Sequence, residues 1–179
     1  MGGIERAMWS LRPAAALALV LATGLCAHDA QAQAFTHSRE CMACHNGLVD
    51  PTGADVSIGT AWRGSVMANS ARDPYWQGSV RRETLDHPSA TAAIEHECAT
   101  CHMPMAHVTA RLDGVQGGVF AHLPIGGGDD LADLAGDGVS CAVCHQILAD
   151  GLGERATFVG RFRIDETTPE GRRRAFGPY

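Results

Sequence analysis

Three times in 179 residues a Cys-x-x-Cys pair is followed at once by His: Cys41-Met-Ala-Cys44-His45, Cys98-Ala-Thr-Cys101-His102 and Cys141-Ala-Val-Cys144-His145. No other feature constrains the chain as strongly. Two thiols three residues apart lie on one side of a helical turn. From there they can form thioethers to the two vinyl groups of a porphyrin. The His one position later is aimed at the iron as proximal ligand. The pattern therefore predicts three covalently attached c-type haems. Cys41 and Cys44, Cys98 and Cys101, and Cys141 and Cys144 would tether them, and His45, His102 and His145 would ligate the irons. A five-residue segment then holds each cofactor without a large pocket.

Chance, zinc and thiol redox chemistry fit the pattern less well. His is 9 of 179 residues, so three consecutive chance matches would arise about once in 10⁴ trials. Two Cys-x-x-Cys pairs could build one tetrahedral zinc site. A third pair and three adjacent histidines would then be left over. A thioredoxin-like motif needs one pair on a strand–helix turn, not three scattered copies.

The N-terminus points to export. Arg6 and Arg12 accompany a short apolar run, Ala14 to Leu25, which is brief for a bilayer span. Ala30-Gln-Ala32 and Ala32-Gln-Ala34 each offer a small-x-small cleavage site. Residues 1–34 are thus expected to be a signal peptide, and residues 35–179 one haem-bearing domain in the periplasm or an equivalent exported compartment. Of seven cysteines, Cys26 falls in the leader and the other six all sit in the motifs. None remains for a structural disulfide.

Few aromatic residues and 21 glycines make a conventional apolar core hard to close. Three macrocycles would supply much of the buried apolar surface instead. Beyond residue 34 the charge is 12 Arg against 18 Asp plus Glu, a net of −6, with no Lys. That balance disfavours nucleic acid as a partner. It favours encounter with a basic redox partner protein.

Along the chain, Asn46 to Gly59 reads as a turn-rich loop. Thr60 to Arg72 reads as a helix ended by Asp73-Pro74. Tyr75 to Leu85 reads as a second helix, stopped near His87-Pro88. Ser89 is placed to cap a helix that runs from Ala90 into the second motif. Arg111 to Gly128 holds six glycines and reads as loop. Asp129 to Ala135 suits a short helix that opens on two acids. Thr157 to Ile164 alternates apolar and polar residues, which predicts a strand or half a hairpin.

A six-coordinate haem needs a second axial ligand. Besides the motif histidines, residues 35–179 hold His37, His87, His96, His107 and His122. The best-placed candidates are His107, His122 and His37. His107 follows His102 by five residues and would face away from its own haem. His122 lies in a Gly-rich stretch able to fold back, and His37 precedes the first motif. His87 and His96 read equally well as surface histidines. Met42, Met67, Met103 and Met105 are soft alternatives. Met67, near Trp62, also suits packing against a porphyrin face. The run Gly126-Gly-Gly128-Asp-Asp130 lacks the Lys and Ser or Thr of a phosphate loop. Asp129, Asp130, Asp133 and Asp137 do not follow the calcium-loop pattern and read as a solvated acidic edge. Arg172-Arg-Arg174 could meet propionates or a partner.

With these residues in place, the chain resembles exported multihaem cytochromes c. It is most similar to the domain typified by the tetrahaem cytochrome that takes electrons from hydroxylamine oxidation. The likeness covers roughly residues 38–147. It rests on Cys41 to His45, Trp62-Arg-Gly-Ser65-Val-Met67-Ala68, Cys98 to Pro104 and Asp137-Gly-Val-Ser-Cys141 to Gln146. The resemblance implies a small multihaem fold, mainly α with extensive irregular loops and little β, organised around stacked haems. In many relatives a His that serves as distal ligand stands where this chain has Met67. Relatives often continue to further haem motifs, which would make this sequence a fragment. The function implied is single-electron transfer between redox partners, among them other cytochromes or a membrane quinol-oxidising complex. The rival is a multihaem oxidoreductase, or a fragment of one, with one open haem acting on a small nitrogen compound or peroxide.

Overall fold

A computed structural model describes residues 34–169 and 172–177, all within one compact unit. The expected signal peptide lies outside the described residues except for Ala34. The unit is mainly helical. Its elements in order are α1 (Ser38–Met42), α2 (Ile58–Arg63), α3 (Pro74–Asp86), a 3₁₀ turn (Pro88–Ala90), α4 (Thr91–His102) and α5 (Pro104–Leu112). Then come a 3₁₀ turn (Phe120–His122), α6 (Asp130–Gly136), α7 (Cys141–Gln146) and a last 3₁₀ turn (Arg155–Thr157). The sole β feature among the described residues is an isolated bridge between Val49 and Asp55. It closes a tight turn in which Asp50 accepts from the amides of Thr52 and Ala54.

Three boundaries differ from those expected, each for a local chemical reason. The helix expected over 60–72 stops at Arg63. Beyond it Asn69 Nδ2 donates to the Arg63 and Ser65 carbonyls at 3.1 and 2.9 Å, and Ser65 Oγ accepts from the Ala68 amide. These side chains compete with the helical ladder and pull the backbone into successive turns. Asp73-Pro74 does not end that helix but opens the next one. Pro74 is the first residue of α3 and the Asp73 carboxylate accepts from Tyr75 N at 2.9 Å. Ser89 caps nothing. It lies inside the 3₁₀ turn, and the N-cap of α4 is Ala90.

The strand expected over 157–164 does not form. Val159 and Gly160 both take positive φ, 54° and 75°, and the turn they make reverses the chain. Gly160 belongs there because a Cβ would stand 2.6 Å from Thr100 Cγ2, on the helix of the second motif. One helix, α5, is additional to those expected. Met103 breaks the helical path, because the residue before a proline is pushed out of the α region. Pro104 then starts α5.

The core is small and built of small or flexible residues. Phe35, Met103, Met105, Leu134 and Val119 are its largest fully buried side chains. Alanines 71, 99, 106, 135 and 142 fill much of the rest. On α3 the buried residues Trp76, Val80 and Thr84 recur every fourth position, one face of the helix. Helix α3 packs on α4, α4 on α5, α5 on α6, and α1 on α7. The last pair brings the first and third motifs together.

Segment 62–70 ties this arrangement to the motifs. Trp62 Nε1 donates to the Val139 carbonyl at 3.0 Å, and Val139 N donates to the Met67 carbonyl at 3.0 Å. Gly138 lies beneath, at φ 64°, where a Cβ would stand 2.5 Å from the Met67 carbonyl oxygen. Gly138→Ala is therefore expected to cost about 2 kcal/mol, from left-handed backbone strain plus the displaced carbonyl. A denaturation midpoint unchanged in that variant would mean the segment yields freely.

Candidate functional site

The three motifs share one local design. In each, the first cysteine (Cys41, Cys98, Cys141) is half-buried and the second (Cys44, Cys101, Cys144) is exposed. All six are free thiols. Burial is the leading cause that pushes the Cys41, Cys98 and Cys141 thiols above their ordinary range. These three are therefore held protonated at neutral pH. Cys98 and Cys101 lie in the last turn of α4, with His102 its final residue. Cys141, Cys144 and His145 occupy α7. Cys41 is in α1, while Cys44 and His45 follow just beyond it, where the Cys44 and His45 amides both donate to the Cys41 carbonyl.

The motif histidines differ in what holds them. His102 Nδ1 meets the Ser70 carbonyl at 2.9 Å, and Ser70 Oγ donates back to the His102 carbonyl at 2.9 Å. The His102 ring lies flat on Trp76, with centroids 4.3 Å apart and planes 10° apart. His145 Nδ1 meets the Phe176 carbonyl at 2.5 Å, and Phe176 N donates to the His145 carbonyl at 2.7 Å. A carbonyl can only accept, so Nδ1 of both imidazoles carries a proton. In the neutral ring Nε2 then keeps its lone pair, the form a metal ligand requires. The His45 imidazole is exposed and makes no hydrogen bond among the described residues.

Asp137 joins the first motif to the third. Its carboxylate accepts from Ser38 N at 2.7 Å, Ser38 Oγ at 2.6 Å and Ser140 Oγ at 2.9 Å. Ser38 opens α1 and Ser140 immediately precedes α7, and both are 1 % exposed. The two helices are thereby clamped side by side, with the Cys41 and Cys141 thiols near enough to act on each other's ionisation. Asp137 is thus a structural link rather than part of a solvated acidic edge. Asp129 is also engaged, capping α6 by accepting from Ala132 N at 2.7 Å. Asp130 stays exposed, and Asp133 pairs with Arg39 at 3.6 Å.

The candidate distal ligands are placed in different settings. His37 is the N-cap residue of α1, 5 % exposed, and its Nε2 is buried with no hydrogen-bond partner. His107 is buried in α5 against the preceding helix, its ring tilted on His96 at 4.6 Å and its Nε2 3.4 Å from Thr100 Oγ1. Its Nδ1 faces Gly117 and lacks a partner, as does His96 Nδ1. His122 is buried in the 3₁₀ turn that Glu95 fastens to α4 through the Val119 and Phe120 amides at 2.9 and 3.1 Å. Burial is the main cause that lowers the pKa of both His107 and His122, keeping each neutral. Met67 is half-exposed, while Met103 and Met105 are fully buried. His87 is exposed, 3.9 Å from Glu83.

Among the described residues, no three His, Cys, Asp or Glu side chains converge as a metal-ion cage. No described helix is long and apolar enough to cross a membrane.

Ser70, Trp76 and Phe176, the partners of the motif histidines, are absent from the residues that the sequence singles out. Trp76 carries the one available signal, a large aromatic on the buried face of an amphipathic helix. Ser70 and Phe176 act through main-chain carbonyls, which leave no trace in residue type. No protein-family model, curated protein or solved structure matches this chain.

Proposed function

We propose that this chain is an exported c-type cytochrome that carries three covalently attached haems and passes single electrons between redox partner proteins. The observation that carries the reading is the state of His102 and His145. Each stands at the end of a Cys-x-x-Cys pair with Nδ1 bound to a carbonyl and the Nε2 lone pair left for a metal.

Three further observations support it. Every motif sets one half-buried and one exposed free thiol on a single turn, which suits the two vinyl groups of one macrocycle. His37 and His107 keep buried imidazole nitrogens without a protein partner. Such orphans are rare in a folded protein and are accounted for when a group outside the polypeptide binds them. Large apolar side chains such as Val49, Val66, Leu85 and Val159 stand in solvent around a core of which Ala and Met make up half. Macrocycles would cover surface of that kind.

Bound haem supplies reversible one-electron chemistry at iron. The polypeptide attaches each group by its thiols and orients each proximal imidazole. It also sets the surroundings that tune potential. A net charge of −6 favours a basic patch on the redox partner.

The test is haem counting after expression in a host that attaches c-type haem. Three haems per chain are expected, falling to two in Cys98→Ser/Cys101→Ser with the other two unchanged. A chain that leaves a working maturation host without haem sinks the proposal. Carbon monoxide added to the reduced protein is expected to leave the haem bands unmoved, since ligands are plentiful. A shift in part of the band would replace the carrier by the oxidoreductase with an open iron.

A further inference from the structure

The segment 172–177 meets the third motif at Phe176, and there it touches the motif histidine itself. Phe176 N donates to the His145 carbonyl at 2.7 Å, and the Phe176 carbonyl receives His145 Nδ1 at 2.5 Å. Both bonds are main-chain on the Phe176 side, and Phe176 is 39 % exposed. The Arg174 guanidinium lies over the ring, 5.9 Å from its centroid. The segment does not pack solidly against α7. A cleft of about 270 Å³, lined by Gln146, Leu148, Arg172, Arg174 and Phe176 among others, lies between them. Arg173 anchors the segment elsewhere, donating to the Thr168 carbonyl at 2.7 Å and to the Ala34 carbonyl. The whole forms a clasp, fastened by Arg173 at one end and hooked onto His145 at the other.

The other two motifs have no such device. His102 is held inside the fold, between Ser70 and Trp76. His45 has no hydrogen-bond partner for its ring among the described residues. The imidazole whose carbonyl partner is most readily removed without disturbing the core is therefore His145.

We infer that the 172–177 clasp is a positioning element for the third motif, in which the Phe176 carbonyl fixes the His145 tautomer and lowers the reduction potential of the haem attached at Cys141 and Cys144. This rests on the three-haem reading. A carbonyl bound to Nδ1–H draws the proton toward itself and makes the imidazole a stronger electron donor through Nε2. A stronger donor stabilises the oxidised iron over the reduced one, so the potential falls. Losing the carbonyl reverses the effect at one haem only.

Three variants isolate the main-chain bonds from the side chain. Deleting Ala175–Gly177 removes both bonds. Phe176→Pro removes the N–H donor and loosens the hook. Phe176→Ala leaves both bonds in place and serves as the conservative control. Each protein is loaded with haem in a maturation-competent host, counted for haem, and titrated spectroelectrochemically.

In the deletion, one of three redox transitions is expected to move to higher potential, with the other two unmoved and three haems retained. Phe176→Pro should move the same transition in the same direction by less, and Phe176→Ala should match the unaltered protein. Three unmoved transitions in both the deletion and the proline variant overturn the inference. So does an equal shift in Phe176→Ala, which would assign the effect to the ring. Loss of the third haem in both variants would make the clasp a requirement for attachment and also overturn it as a tuning element. An unaltered chain that takes up no haem fails at the earlier proposal instead, so the two failures are separate.

Discussion

Trp76→Ala is expected to lower the stability of the protein by about 4 kcal/mol, within the usual range for deleting a buried large aromatic. Trp76 is 9 % exposed and belongs to the main core with Val80, Ala99 and Met103. That core has few large side chains to collapse into the space left behind. The substitution also removes the surface on which the His102 ring lies, at 4.3 Å and nearly parallel. Two effects should therefore appear together in one variant: a lower denaturation midpoint, and a freer His102 imidazole with only the Ser70 carbonyl to orient it. Trp76→Phe keeps an aromatic face and should recover most of the loss, leaving about 1–2 kcal/mol. Chemical denaturation of the three proteins side by side decides the matter. A loss below about 1 kcal/mol in Trp76→Ala would show that α3 and α4 do not depend on this contact.

Asp137→Ala should cost about 3 kcal/mol, because it strips three hydrogen bonds from one carboxylate and leaves buried donors behind. A hydrogen bond to a charged group contributes about 1.5–3 kcal/mol, and bonds that share an acceptor do not add in full. The Ser38 amide and the Ser38 and Ser140 hydroxyls all sit in almost fully buried residues. Water cannot easily take the place of the carboxylate. Asp137→Asn retains one acceptor oxygen and the side chain's shape, so it should lose less, about 1–2 kcal/mol. The consequence beyond stability is local. With the clamp gone, α1 and α7 have lost the polar link that seats the first motif against the third. Faster proteolysis confined to the segments around α1 and α7 is the accompanying sign. Equal denaturation midpoints for Asp137→Ala and the unaltered chain would contradict the clamp.

Some of this architecture is legible in the chain and some is not. Helix α3 is legible because Asp73 and Pro74 are strong starting residues and Trp76, Val80 and Thr84 repeat at helical spacing. The same Asp73-Pro74 pair nevertheless reads as an ending, since it marks a boundary without saying on which side the helix lies. The strand expected at 157–164 has the right alternation. It fails because Val159 adopts a left-handed turn that its β-branched side chain does not advertise. Asp137 stands among four acids and reads as solvated surface. Only its neighbours Ser38 and Ser140, one of them 99 residues away, make it a buried link.

Residue order is enough to place each thiol pair relative to its histidine, because that relation spans five residues and follows from helical geometry. It is also enough to show that all six cysteines beyond residue 34 lie in the three Cys-x-x-Cys-His runs, and that the charge balance is acidic. What each motif histidine faces depends on how the backbone folds. Ser70 and Phe176 reach His102 and His145 through carbonyls that every residue possesses, across 32 and 31 positions of chain. An acceptor common to all residues carries no signature in residue type, so only the folded backbone could select which one would serve.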